Sequence, residues 1–235
     1  MKNFDAIAFD LDGTLVDSAG GIAHALNAAL AEAGLLPFEL QTVRAWIGDG
    51  PDALITRALA ASRPGLADAP ALAAQLRRGF DAATLREPMA GSSVFRGITE
   101  LLPALAAQFA LVVVTNKPTP LARAVLKAAG LLAHFASVHG ADTPVQRKPS
   151  PLLIQQAASA LGTSAQRLLM VGDAAVDIGA ARAAGSHAAW AGWGYGHAPA
   201  DADADVDTDR SLWRLRAPHD LLAALALPEA AAPEP

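Results

Sequence analysis

The stretch Phe4-Asp5-Ala6-Ile7-Ala8-Phe9-Asp10-Leu11-Asp12-Gly13-Thr14-Leu15-Val16-Asp17-Ser18 decides the fold. Its first half is a short apolar run rich in strand formers, the pattern of a buried strand. The run stops at two carboxylates, Asp10 and Asp12, with Gly13 behind them. Residues i and i+2 of a strand point the same way, so both acids are expected to leave the strand end on one side. Like charges that close repel, and neither is buried unpaired at modest cost. A divalent cation relieves both penalties, and hard oxygen ligands suit Mg2+. Gly13 permits a sharp turn beside a ligand, and Thr14 offers a donor to an anion. The same residues also fit a strand followed by an ordinary polar turn, so the rest of the chain must discriminate.

Downstream, residues 17–88 are helical in pattern, with no convincing strand. Apolar positions at helical spacing place a first helix over Ala23 to Ala33, with Gly34 where a C-terminal cap belongs. A second is expected over Glu39 to Trp46, ended by Ile47-Gly48-Asp49-Gly50. A third starts at Pro51, and a fourth runs from Pro70 to about Arg86. From Leu111 onward strands alternate with helices, the signature of a parallel sheet. Strands are expected at Ala110 to Val114, Ala136 to Gly140, Leu168 to Val171 and His187 to Ala191. The helices between them start near Glu100, Leu121, Pro151 and Ala174, and Pro103 is expected to kink or delay the first. Pro218 to Leu227 reads as a final helix. The fold class is therefore α/β, a Rossmann-like parallel sheet core with an inserted helical cap domain. Its core is expected at residues 1–16 and 89–227, its cap at 17–88, and a disordered tail at 228–235.

Composition narrows the function. The chain has 235 residues, 52% of them hydrophobic, and a net charge of -5. No basic tract is present to meet nucleic acid, and the absence of cysteine removes thiolate chemistry and disulfides. The longest apolar run, Leu101 to Val114, is interrupted by Pro103 and Gln108 and is too short to span a bilayer. The N-terminus has no apolar signal region, so a cytoplasmic location without a membrane partner is expected. The six histidines show no metal-ligand spacing, and Asp201 to Asp209 alternate with small residues as in a solvated loop.

Three predicted strands end in polar residues: Asp10 and Asp12, Thr115 and Asn116, and Asp173. Ligands of an open α/β sheet bind beyond the carboxyl ends of its strands, so these residues are expected to share one site. Lys148 lies between Arg147 and Pro149 ahead of a helix start; taken alone it reads as a solvated surface group. Asp173 and Asp177 sit at i and i+4 on the first turn of a helix, where Asp173 also suits an N-cap.

Asp10-Leu11-Asp12-Gly13-Thr14, Thr115-Asn116, Arg147-Lys148-Pro149 and Gly172-Asp173-Ala174-Ala175-Val176-Asp177 resemble, in order, the four motifs of the haloacid dehalogenase superfamily. In particular they resemble its phosphatases similar to phosphoglycolate phosphatase. The resemblance implies a covalent mechanism, with Asp10 as nucleophile and Asp12 as general acid and base. It also implies that Thr115, Asn116 and Lys148 hold the phosphoryl oxygens, with Gly13 and Thr14 close by. Mg2+ would be bound by Asp10, the Asp12 carbonyl and Asp173, with Asp177 orienting a metal water. Asp12 separates the chain from dehalogenases, whose halide leaving group needs no proton. Residues 17–88 contain no lysine, which separates it from phosphonatases. Receiver domains are shorter and lack a helical insertion.

The cap is expected to select the substrate. Gly48-Asp49-Gly50 resembles a specificity loop, although it is also an ordinary interhelical turn. Arg57 and Arg44 are the cap cations that a carboxylate-bearing substrate such as 2-phosphoglycolate would use. A sugar phosphate, N-acetylmuramic acid 6-phosphate, a sugar phosphomutase reaction and non-catalytic phospho-ligand binding remain alternatives. Arg96, standing where proline is common, and Ala174, where serine is common, depart from the family pattern. Trp193 and Tyr195 lie in a Gly-rich loop resembling a rim loop. The resemblance implies a small phosphate ester as partner, and a monomer or homodimer is expected.

Overall fold

The computed structural model describes residues 4–63, 65, 69–197 and 212–227. The Asp201 to Asp209 segment and the 228–235 tail lie outside the described residues. The chain opens with β1 (Ala6–Phe9) and the two-residue β2 (Val16–Asp17). Four helices follow: α1 (Ala19–Glu32), α2 (Leu40–Arg44), α3 (Pro51–Ser62) and α4 (Pro70–Arg86). After β3 (Ser93–Val94) come α5 (Ile98–Ala106), β4 (Ala110–Thr115), α6 (Thr119–Ala128) and β5 (Ser137–Gly140). The chain continues through α7 (Leu152–Ala160), β6 (Leu168–Gly172), α8 (Ala175–Ala184) and β7 (His187–Ala191). It closes with β8 (Trp213–Leu215) and α9 (Asp220–Ala224).

Six strands form one parallel sheet in the order β5-β4-β1-β6-β7-β8. Central β1 pairs with β4 from Ala6↔Ala110 to Phe9↔Val113, and with β6 from Ala6↔Leu168 to Phe9↔Val171. Strand alternation sorts its side chains between two layers. Ile7 and Phe9 join Leu101, Leu102 and Leu105 of α5 and Val125 and Leu126 of α6. The small Ala6 and Ala8 face Ile154 and Ala157 of α7 and Ile178 and Ala181 of α8. Because the registers align, β1, β4 and β6 all end at one edge, and there the site assembles.

The cap helices α1 to α4 bury their own cluster around Leu26, Leu30, Ile55, Leu59 and Leu76, joined from the core by Leu121 of α6. Both crossings between cap and core run side by side, since β2 and β3 pair antiparallel as Val16↔Val94 and Asp17↔Ser93.

Several boundaries differ from the sequence expectation. Helix α1 starts at Ala19 rather than Ala23, running through Gly20 and Gly21. A side chain on Gly20 would overlap the Gly91 carbonyl of the returning crossing, so the glycine serves close approach rather than a break. Helix α5 starts at Ile98 and continues through Pro103, held down by buried Leu101, Leu102 and Leu105. Helices α2 and α9 are shorter than expected, and β2, β3 and β8 were not expected at all. Strands of two or three residues lie below the length at which alternation is readable. Among the described residues no helix is long and apolar enough to cross a membrane.

Candidate active site

Asp10 follows β1 directly and is buried. Its Oδ1 lies 2.8 Å from the Lys148 ammonium, which also donates to Asp177 Oδ1 at 2.5 Å and to the Val114 carbonyl at 3.0 Å. Lys148 is thus a buried cation sealed between two motifs, not a surface group. Its loop is held by Asn116, whose Oδ1 accepts from the Lys148 N–H at 2.7 Å. The Asn116 Nδ2 donates to the Gly48 carbonyl at 2.9 Å and to the Lys148 carbonyl at 3.3 Å. One amide therefore fastens the Lys148 loop and the cap loop together.

Asp173 follows β6. Thr14 Oγ1 donates to its Oδ1 at 2.9 Å, and the N–H groups of Tyr195 and Gly196 donate to its Oδ2 at 2.9 and 3.2 Å. Those amides come from Gly192-Trp193-Gly194-Tyr195-Gly196, where a side chain on Gly194 would overlap Asp173 and the Gly13 carbonyl. The Trp190 and Trp193 indoles donate to the Asp173 and Thr14 carbonyls at 3.0 and 2.9 Å. Asp173 does not cap α8, as the sequence had allowed. Asp177 does, accepting from the Ala174 N–H at 2.9 Å through the oxygen that Lys148 leaves free.

Asp10, Asp173 and Asp177 each present an oxygen within 4.8 Å of the others, all buried. At an effective dielectric of about 20, each ionised pair within that separation repels by about 3.5 kcal/mol or more. One lysine does not neutralise three acids, and the strain appears as proton affinity. Burial pushes Asp10 up to about 6 against the pull of Lys148. Asp173 is raised by burial and by Asp10, and Asp177 is raised by burial despite Lys148. Burial alone would lower the Lys148 ammonium, but Asp10 and Asp177 hold it above its ordinary value. Asp10 Oδ1 is buried with no donor in hydrogen-bond geometry, its ion pair with Lys148 notwithstanding. A surplus of buried oxygens, one without a hydrogen bond, is the donor set of a hard divalent cation, and the residues fit Mg2+.

Asp12 turns elsewhere. Lys117 Nζ, with a side chain only 6% exposed, grips both its oxygens at 2.8 and 3.0 Å. The alternation argument stops being valid at Phe9, where β1 ends, so the two acids take different partners. Both still line one cleft between core and cap, together with Thr115, Asn116 and Lys117. Thr115 Oγ1 accepts from the Lys117 N–H at 3.1 Å. The opposite wall is apolar, formed by Ile22, Trp46, Ile47, Leu54 and Phe80, with Gly48 and Gly50 at its edge.

Gly48 reaches the cleft, whereas Asp49 and Arg57 are not among its lining residues. Arg57 pairs with Asp49 and donates to the Trp46 carbonyl at 2.8 Å, bracing the loop from behind. Arg44 sits 4.7 Å over the Tyr195 ring, and Arg96 is exposed. Arg147, beside Lys148, pairs across the domain gap with Asp52 at the start of α3, which also holds Arg77. Sequence reasoning gave no role to Lys117 or to the amides that clamp Asp173. Lys117 was findable, standing at the same strand end as Thr115 and Asn116. The clamp was not, because a backbone N–H carries no residue identity.

A model of the haloacid dehalogenase-like hydrolases matches residues 4–185. The chain is 45% identical over 184 residues to a phosphoglycolate phosphatase of Rhodospirillum rubrum, covering 77% of this chain and 76% of that one. It is 40% identical over 187 residues to a phosphoglycolate phosphatase of Chromobacterium violaceum, covering 79% and 83%. Among solved structures, a predicted phosphoglycolate phosphatase from Haemophilus somnus superposes with a TM-score of 0.82 at 31% identity, covering 96% of this chain and 99% of that one.

Proposed function

The chain belongs to the haloacid dehalogenase-like hydrolases, and from that membership we propose a Mg2+-dependent phosphatase that cleaves 2-phosphoglycolate through an aspartyl-phosphate intermediate. It is a phosphoric monoester hydrolase. The observation that carries the mechanism is the lysine-bridged acid cluster: Lys148 Nζ at 2.8 Å from Asp10 and 2.5 Å from Asp177. It sits where β1, β4 and β6 end together.

A carboxylate oxygen of Asp10 attacks phosphorus, and the bond from phosphorus to the bridging oxygen breaks. Asp12 gives that oxygen its proton, so glycolate leaves as a neutral hydroxyl. Asp12, now a carboxylate, takes a proton from water; the hydroxide oxygen bonds to phosphorus and Asp10 is released with inorganic phosphate. Lys148 holds Asp10 in place and balances charge on the phosphoryl oxygens, with Thr115 supplying a hydroxyl. Gly13 and Thr14 shape the turn beneath the phosphate, and the closed cap excludes water. Asp10, Asp173 and the Asp12 carbonyl would hold Mg2+, with Asp177 beside them; when bound, it neutralises charge so that an anionic carboxylate meets an anionic phosphate.

The cap wall supports a small acid over a sugar phosphate or a phosphomutase substrate. Among the described residues lining the cleft, the cap contributes apolar surface and glycines, with the Trp46 indole N–H as its one side-chain donor for a hydroxyl. A sugar would leave polar groups unpaired against that wall. A cytoplasmic location belongs to the same proposal.

Phosphate release from a panel of phosphate monoesters tests the reading, with and without EDTA. The Asp10→Asn variant is expected to lose at least about a thousandfold in kcat. Retention of more than about a hundredth of the rate removes the covalent role of Asp10.

A further inference from the structure

We propose that Lys117 receives the carboxylate of the substrate and so sets selectivity for a short phosphorylated acid. This rests on the phosphatase reading, with Asp12 serving the leaving oxygen. Among the described residues lining the cleft, Lys117 is the one cation. Lys148, Arg57 and Arg147 do not line the cleft, and each is paired with an acid other than Asp12. Lys148 is held by Asp10, Asp177 and the Val114 carbonyl, Arg57 by Asp49, and Arg147 by Asp52.

Placement then decides the role. An ammonium has three donors, and Lys117 reaches two oxygens of Asp12, which leaves one hydrogen on a side chain that lines the cleft. Asp12 must touch the bridging oxygen to protonate it. In a phosphorylated 2-hydroxy acid, one carbon separates that oxygen from the carboxylate, so the two lie about 3 Å apart by covalent geometry. A cation bonded to Asp12 is therefore within reach of the carboxylate of this substrate. A longer acid would carry its charge past Lys117 toward the apolar wall. With Ile22, Trp46, Ile47, Leu54 and Phe80 keeping water away, a charge pair there counts for more than in bulk solvent.

The test compares 2-phosphoglycolate with 2-hydroxyethyl phosphate, which is similar in size but lacks the carboxylate. The wild-type chain is expected to prefer 2-phosphoglycolate by about 30-fold in kcat/KM, the fold-change of a hydrogen bond between charged groups. Lys117→Met is expected to erase that preference mainly through KM, and Lys117→Arg to restore part of it. Equal losses on both esters would assign Lys117 to Asp12 alone and overturn the proposal, as would an unchanged preference. A wild-type chain that cleaves both esters equally overturns it without any variant, while leaving the phosphatase reading intact. Failure to cleave any phosphate monoester is the different outcome that removes the phosphatase reading itself.

Discussion

Gly13 shows how single atoms govern the site. Its φ of +93° already disfavours a side chain, and a Cβ there would stand 2.6 Å from Asp173 Oδ2. Gly162 provides the control: its φ is +67°, and a Cβ there would meet nothing within 4 Å. Both substitutions to alanine carry the left-handed backbone penalty of about 1–2 kcal/mol. Only Gly13→Ala presses on the Asp173 carboxylate. Gly162→Ala is expected to lower Tm by a few degrees with kcat unchanged. Gly13→Ala is expected to lose at least about tenfold in activity and to need more Mg2+ for half-maximal rate. Matching activities in the two variants would show that the contact with Asp173 is without consequence. That Asp10, Thr115 and Asp173 gather at one sheet edge was legible because each follows a strong apolar run, whereas Lys148 alone read as a surface group and only the family resemblance drew it in. Their partners were not: whether Lys148 meets solvent or Asp177 depends on chain segments 29 residues apart.

At the scale of elements, the sheet was legible and its fastenings were not. The runs that became β1, β4, β6 and β7 are dense in apolar residues, and burial on both faces makes such runs readable. The Gly20-Gly21 pair concealed the first turn of α1, because glycine signals a break unless the neighbouring backbone is known. Asp5 is another hidden fastening. It binds the start of β1 to Arg167 ahead of β6, and Thr163 also donates to it. Arg167, then Thr163, draws its carboxyl down to about 2. The folded chain therefore takes up this proton less readily than the unfolded chain. The stabilisation is complete above about pH 4 and disappears as pH falls through about 2. Asp5→Asn is expected to have a lower Tm than wild type near neutral pH, with the gap narrowing between about pH 4 and pH 2. A gap that stays constant across that range would contradict the assignment.

For the molecule as a whole, the acid cluster is expected to make the fold itself responsive to metal. Bound cation relieves the repulsion among Asp10, Asp173 and Asp177, and an unfolded chain does not gather these three. Mg2+ at a hundredfold excess over its Kd is expected to add about 2.7 kcal/mol of stability. For a chain of 235 residues that is a rise of roughly 5–10 °C in Tm. The measurement is a thermal scan with Mg2+ and with EDTA, independent of turnover. An identical Tm in both would count against a metal site at these acids.

The central position of β1 has a consequence for how the protein is made. Strand β1, directly ahead of Asp10, leaves the ribosome before both of its hydrogen-bonding neighbours, Ala110 to Val113 on one side and Leu168 to Val171 on the other. During translation both of its edges can be paired only after Leu168 to Val171 have emerged. A nascent chain halted before Leu168 therefore holds Asp10 beside a sheet that lacks β6 and the Asp173 that follows it.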